Sequence, residues 1–326
     1  MKIRIAFMLL LLAPCARAQQ EVQLSQYMFN GLTLNPALAG SYEALNAQAL
    51  YRMQWVGFDG APRSEVASVD GLITQSNSMG WGLSLVGEQV GLMKTMGAYA
   101  SYSYRVRLNQ LDDRLSLGLS LGAMQERFGG VAAGGYSNNG LPLYDDADDV
   151  LAPETRWRPD FRVGAYYNYG KIAYAGLSAS NLGSFISLQP DSLHLNNPHI
   201  YLNGGYHHYF TDEWKLSPSL LARYTLNENP VVDGNVAVSY NDKAWIGVGV
   251  RMVLPLNGQQ SNLNNALAIM AEVWVTQSLR LGYCYDYAMS RLSGVQSGSH
   301  EVSVGFTLAR KVVVAKDPRS FKAIDN

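Results

Sequence analysis

Asp145-Asp146-Ala147-Asp148-Asp149 puts four carboxylates into five positions. Carboxylate oxygens bind Ca²⁺, but a calcium loop spaces them at alternate residues around a turn-forming Gly. This run has neither feature, and a solvated acidic loop is the simpler reading. The five histidines, His194, His199, His207, His208 and His300, have no metal-ligand spacing. His207 and His208 are neighbours, and in a strand they point to opposite faces. There is no G-x-S-x-G and no Ser, His and Asp set in a recognisable arrangement, so no enzyme, metal or cofactor is expected. Arg105, Arg107, Arg162 and Asp286 are a different kind of candidate, because they fall on the polar faces of apolar-polar alternations. Such charges either line a selective pore or brace a closed interior through ion pairs, and at this level both readings stay open.

The elements that would position those charges are strands. From Thr95 to Leu108, Met96, Ala98, Ala100, Tyr102, Tyr104, Val106 and Leu108 alternate with Gly97, Tyr99, Ser101, Ser103, Arg105 and Arg107. After a turn at Asn109 to Asp113 the alternation resumes from Leu115 to Ala123. This is a hairpin with one apolar and one polar face. Its strands reach ten residues or more, where soluble strands average about five or six and a tilted bilayer-spanning strand needs about 9–11. Charged residues are 16% of the chain, and with 31 Gly and 20 Tyr the polar faces are Gly, Ser, Thr and Asn more than Lys and Glu. A sandwich normally charges the face it turns to bulk water, whereas a wide barrel encloses its polar face.

Fourteen such strands are predicted. They lie near Glu43 to Gln54, Ser64 to Gly71, Met79 to Gly87, Thr95 to Leu108, Leu115 to Gln125, Pro159 to Tyr167 and Lys171 to Ser180. They continue near His199 to Tyr209, Trp214 to Tyr224, Val232 to Tyr240, Ala244 to Val253, Ala266 to Thr276, Leu279 to Ala288 and Ser299 to Ala309. Every second connection is short: Thr74 to Ser78, Asn109 to Arg114, Asn168 to Gly170, Thr211 to Glu213, Asn241 to Lys243 and Gln277 to Ser278. The connections between them include the three longest, Arg127 to Arg158, Asn181 to Pro198 and Leu254 to Asn265. This sorting predicts an all-β, antiparallel up-and-down transmembrane barrel with short periplasmic turns and long extracellular loops. Trp81, Tyr174, Tyr201, Tyr209, Trp214, Trp245, Trp274, Tyr283 and Tyr285 fall near strand ends, where an interfacial aromatic girdle is expected.

Four segments are expected along the chain. Residues 1–18 read as a signal peptide: Lys2 and Arg4 precede an apolar run, and Ala16-Arg17-Ala18 is a small-x-small cleavage site. Cys15 offers a lipidation alternative, against which Pro14 argues. Removing this segment takes away Lys2, Arg4 and Arg17 and leaves 22 basic against 26 acidic residues, a formal charge of −4. No basic footprint for nucleic acid results. Cys284 is then the only cysteine, so no intrachain disulfide is expected. Residues 19–42, broken by Asn35-Pro36 and Gly40, form a leader that either plugs the barrel or docks a periplasmic partner. Residues 43–309 are the barrel, and 310–326 are a basic periplasmic tail.

Three segments together resemble the PorP/SprF family of Bacteroidetes outer-membrane proteins, associated with type IX secretion and gliding. They are Ser25-Gln26-Tyr27-Met28-Phe29-Asn30 running into Leu34-Asn35-Pro36-Ala37-Leu38-Ala39-Gly40-Ser41, then Tyr51 to Arg63, and Gly298-Ser299-His300-Glu301-Val302. Met53 departs from the polar residue expected in the Tyr-Arg-x-Gln-Trp run, and the chain continues past its last strand. The resemblance implies a non-enzymatic barrel that serves the secretion or gliding machinery and supports export or surface anchoring of a partner such as an adhesin. Its implied partners are outer-membrane lipid, secretion-system components and a secreted surface protein. Gln26, Tyr27, Phe29, Asn35 and Pro36 in the leader, with Trp55, Phe58, Asp59 and Pro62 in the first hairpin, are the candidate partner-binding residues. Gly57, Gly60 and Pro62 most simply shape that hairpin, and Trp55 and Phe58 suit a girdle as well as a partner. The rival reading is a diffusion channel or a transporter of hydrophobic substrates.

Overall fold

The computed structural model describes residues 23–73, 77–109, 113–129, 131–132, 150–151, 154–185, 197–226, 228–255, 265–289, 294 and 296–308. The signal peptide with Cys15, the Asp145 to Asp149 run, His194 and the 310–326 tail lie outside them.

The long strands are β1 (Leu45–Met53), β2 (Arg63–Leu72), β3 (Met79–Val90), β4 (Met93–Arg107), β5 (Arg114–Phe128), β6 (Glu154–Tyr169) and β7 (Ala173–Ser180). They continue with β8 (His199–Tyr206), β9 (Trp214–Thr225), β10 (Val231–Tyr240), β11 (Ala244–Val253), β12 (Ala266–Trp274), β13 (Leu279–Ala288) and β14 (Ser299–Leu308). Past His207, β8 resumes as His208–Tyr209 against β9. Each strand pairs antiparallel with the next. β1 also pairs with β14, in a register that sets Asn46 against Thr307 and Arg52 against Glu301. The sheet therefore closes on itself, and no barrel strand is left with a free edge.

Side chains follow the period of two. On β4, Met96, Tyr102, Tyr104 and Val106 are exposed on the outer face, while Tyr99, Ser101, Ser103 and Arg105 are buried inside. On β5, Leu117, Leu119 and Leu121 form the outer face. The apolar outside belongs to lipid and the polar inside to an enclosed lumen.

The connections at one end are all short, while those at the other include the three longest, although β3 and β4 meet there through Gly91 and Leu92 alone; the barrel thus has a short-turn end and a long-loop end. The predicted insertion from Arg127 to Arg158 is trimmed on both sides. β5 runs to Phe128, β6 starts at Glu154, and a small ribbon pairs Val131–Ala132 with Val150–Leu151. Glu126, Arg127, Arg156 and Arg158 carry this ladder above the apolar band. Polar residues on both faces erase the alternation there, and an ion pair between Arg158 and Glu126 at 2.7 Å ties the two strands.

The predicted girdle needs correction. Tyr201 is buried, and Tyr174, Trp245 and Trp274 also face the lumen: Tyr174 stacks on Tyr166, and Trp245 lies on Phe29 of the leader. Proximity to a strand end does not fix the face; parity along the strand does. Trp214, one of the expected rings, does lie outside, in contact with Tyr240 at 4.8 Å near the short-turn end.

Candidate functional site

Between Gln23 and Tyr42 the chain makes three single turns, Tyr27–Phe29, Gly31–Leu34 and Pro36–Leu38, and all three lie in the lumen. Segments this short do not persist alone. The wall holds them, by shape, by apolar contact and by charge.

Shape is set where glycines remove side chains from the wall. Gly118 on β5 and Gly164 on β6 stand opposite one another in register. A Cβ on Gly118 would strike the Pro36–Ala37 backbone, and one on Gly164 would strike Asn35. Into this dent the turn at Asn35 is pressed. Asn35 Oδ1 accepts from Ala37 N at 2.9 Å and caps the Pro36–Leu38 turn, with Pro36 at its first position. Asn35 Nδ2 donates to the carbonyls of Ala165 (3.0 Å) and Leu177 (3.4 Å).

The apolar contact falls where the inner faces are not polar. Leu50, Val66, Tyr201 and Leu221 point inward and pack with Leu24 and Tyr27 of the leader. Met28 packs on a second patch of Ala268, Met270 and Cys284. Without the leader these side chains would face a wet lumen. Tyr27 also meets Ser219 Oγ at 3.0 Å. Burial pushes its phenol above the usual tyrosine range, which keeps it neutral.

Charge concentrates toward the long-loop end, at Ser25 and Gln26. The carboxylate of Glu301 accepts from two successive backbone groups, Ser25 N at 2.9 Å and Gln26 N at 2.7 Å. Arg52 bonds Glu301 at 3.0 Å and Asp286 at 2.5 Å. Ser25 Oγ donates to Asp286 at 2.7 Å and accepts from Arg52 (3.0 Å) and Arg251 (3.2 Å). The chain of ion pairs then runs from Arg251 to Asp233 (2.6 Å) and from Asp233 to Arg223 (2.7 Å). Three arginines and three carboxylates from β1, β9, β10, β11, β13 and β14 balance around one serine hydroxyl.

Toward the short-turn end the leader is held more simply. Asp70 accepts from Gly40 N at 2.8 Å, while Ser103 (2.7 Å) and Arg105 (2.6 Å) both donate to the Ala39 carbonyl. Gly40 has φ +69° and sits against the Gly71 backbone, a place only glycine fills without strain. Opposite, Arg162 lies over the Tyr99 ring at 3.4 Å and donates to the Thr33 carbonyl at 3.1 Å. Of the four charges singled out in the sequence, Arg105 and Arg162 thus hold the leader and Asp286 joins the ion network. Arg107 is exposed near the turn after β4.

The proposed partner-binding residues separate into two groups. Gln26, Tyr27, Asn35 and Pro36 are buried in the lumen, and Phe29 is half-buried against Trp245. Trp55, Phe58, Asp59 and Pro62 lie in the β1–β2 hairpin at the long-loop end. Pro62 is buried, Trp55 half-buried, and Phe58 and Asp59 exposed, with Phe58 at 50%. Backbone bonds from Val56 N to Gly298 O (2.8 Å) and Ser297 N to Val56 O (2.7 Å) join this hairpin to the β13–β14 loop. Sequence reasoning missed Arg52 and Glu301 as a pair, although both lie in quoted motifs. Closure of the barrel was the available signal, since pairing the first and last strands brings the two opposite one another.

A closed fourteen-stranded barrel with an apolar belt and an internal plug is an outer-membrane protein. Residues 16–306 match the family described as type IX secretion system membrane protein PorP/SprF, and the chain belongs to that family. No curated protein sequence matches it. Among solved structures it is similar to the CymD monoaromatic hydrocarbon channel, with 12% identity, TM-score 0.52, and 85% of this chain and 92% of that one covered. It is similar also to the Ralstonia pickettii toluene transporter TbuX, with 9% identity, TM-score 0.51 and the same coverages. At such identities the likeness is one of fold.

Proposed function

We propose that this barrel is a non-enzymatic, plugged component of the type IX secretion or gliding machinery that supports export or surface anchoring of a partner protein such as an adhesin. In this reading residues 1–18 direct export, the short-turn end and the 310–326 tail face the periplasm, and the long loops face outward. Phe58 and Asp59 of the first hairpin then offer a contact at the cell surface.

The observation that carries the reading is the seating of the leader. An open pore would leave its inner wall to water, whereas here the wall's hydrogen-bonding groups, its dent and its apolar patches are committed to a segment of the same chain. Deletion of the gene is expected to leave large surface proteins unexported or unattached; a deletion strain with an unchanged surface proteome would sink the proposal.

The likeness of fold to a monoaromatic hydrocarbon channel and a toluene transporter supports a rival, a diffusion channel or hydrophobic-substrate transporter. Planar-bilayer recording separates the two. The plugged barrel is expected to carry no stable ion current, and a steady current from the intact protein would favour the channel.

A further inference from the structure

Below the leader, on the short-turn side, the lumen holds a cavity of about 580 Å³. Its lining includes Asp242 and Lys243 of the β10–β11 turn, so it opens at that end, and its inner limit is the leader around Phe29 and Asn35. Its size lies within the range of pockets that enclose a ligand group.

One side chain in it is out of balance. Glu272 of β12 points inward and is only 7% exposed. Among the described residues its carboxylate has neither a hydrogen bond nor an ion pair, unlike Glu301, Asp286, Asp233 and Asp70. Arg280 lends it an opposite charge without bonding it, since its guanidinium donates to Gln48 at 2.9 Å and lies among the rings of Tyr42, Trp274 and Phe29 at 5.1–5.9 Å. Lys215 is committed to Asp242 at 2.5 Å. Beside Glu272, Trp245 occupies the register position directly opposite on β11. Trp274 stands two residues along β12, on the same face. A buried carboxylate without a partner is costly, and indole faces attract cations. Together they make a receptor for a positive group in direct contact with the carboxylate, a contact that none of the cations lining the cavity, Arg280, Lys215 and Lys243, makes.

We propose that this vestibule receives the ammonium or guanidinium group of a lysine or arginine side chain on a polypeptide approaching the short-turn end. Glu272 is its counter-ion, and Trp245 and Trp274 are its walls. The inference rests on the reading that the barrel works with other envelope proteins, and it gives the chemistry by which one of them is recognised. A side chain on a flexible stem fits the geometry, because Glu272 lies inside the mouth and not on the rim.

The test uses the purified full-length protein in detergent and reads tryptophan fluorescence, so it is decided independently of any secretion phenotype. The probe is the blocked tripeptide Gly-Lys-Gly, compared with the same peptide carrying norleucine for lysine. The lysine peptide is expected to bind saturably and the norleucine peptide about tenfold more weakly or not at all, as loss of a charge-assisted contact implies. Glu272→Gln is expected to remove the preference for lysine, and Glu272→Asp to keep it. Equal binding of the two peptides to the wild-type protein overturns the proposal, whether or not the variants fold. So does saturation by a neutral chito-oligosaccharide in place of the lysine peptide, which would assign the aromatic walls to carbohydrate.

Discussion

The two ends of the leader are held by opposite arrangements of charge. At Ser25 and Gln26 a carboxylate receives two backbone N–H groups and is itself embedded in six alternating charges from six strands. At Ala39 and Gly40 the wall instead puts one carboxylate on an N–H and a hydroxyl and a guanidinium on a carbonyl. The first clamp is a network, in which removing any member leaves others buried and uncompensated. The second makes three bonds to the leader and holds a single carboxylate, Asp70, which also accepts from Asn46 at 3.0 Å. Buried ion pairs contribute little net stability over apolar packing, but breaking one is expensive. The long-loop clamp therefore specifies where the leader sits more than it adds to stability.

The largest effect is expected from Glu301→Ala, which strips two leader N–H groups of their acceptor and leaves Arg52 with less counter-charge. A loss of about 3–5 kcal/mol is expected, as for a broken buried pair, together with cleavage of the leader by added protease. Chemical unfolding of the purified barrel and mass spectrometry of the digest measure both. A loss no larger than that of the short-turn clamp would erase the proposed difference. Gly118→Val comes next, since it fills the dent at Pro36–Ala37 and touches neither clamp. About 1–3 kcal/mol is expected from overpacking, with ion current appearing in planar bilayers as the leader is displaced; a silent, fully stable variant would show that the dent is not what seats it. Asp70→Ala should cost about 1–2 kcal/mol through the lost acceptor for Gly40 N. Hydrogen exchange should then rise at residues 39–42 and remain slow at 25–26. Phe58→Ala belongs to neither clamp and is expected to change stability by less than about 0.5 kcal/mol. On the proposed function it should nonetheless reduce recovery of envelope partners in detergent pull-downs, and unchanged recovery would remove Phe58 from the contact.

The barrel was legible because lipid on one side and a lumen on the other impose a period of two, and β4 obeys it from Thr95 to Val106. Where the ladder rises past the lipid, at Glu126 and Arg158, that rule stops and the boundaries moved. The site was less legible, because its bonds join residues far apart in sequence and no local pattern announces them. Leu50 was the available clue. It interrupts the polar series Asn46, Gln48, Arg52 and Gln54, and an apolar side chain facing a lumen needs something to cover it. The sequence showed the interruption but not that Leu24 and Tyr27 are what fills it. Tyr174, Trp245 and Trp274 were misassigned to the lipid interface for a related reason, since an aromatic ring suits a lipid boundary and a plugged lumen equally well.

The bond from Gln26 to Glu301 spans 275 positions of sequence. Arg52 and Glu301 come together only when the first and last strands meet, which makes this the most non-local step of assembly and, on contact-order grounds, a late one. Until then the N-terminal segment has no complete receptor, and a barrel that has not closed must leave it loose. The segment is in that sense a latch that only a finished barrel can fasten, and its resistance to protease would report, in the living envelope, which copies have completed assembly.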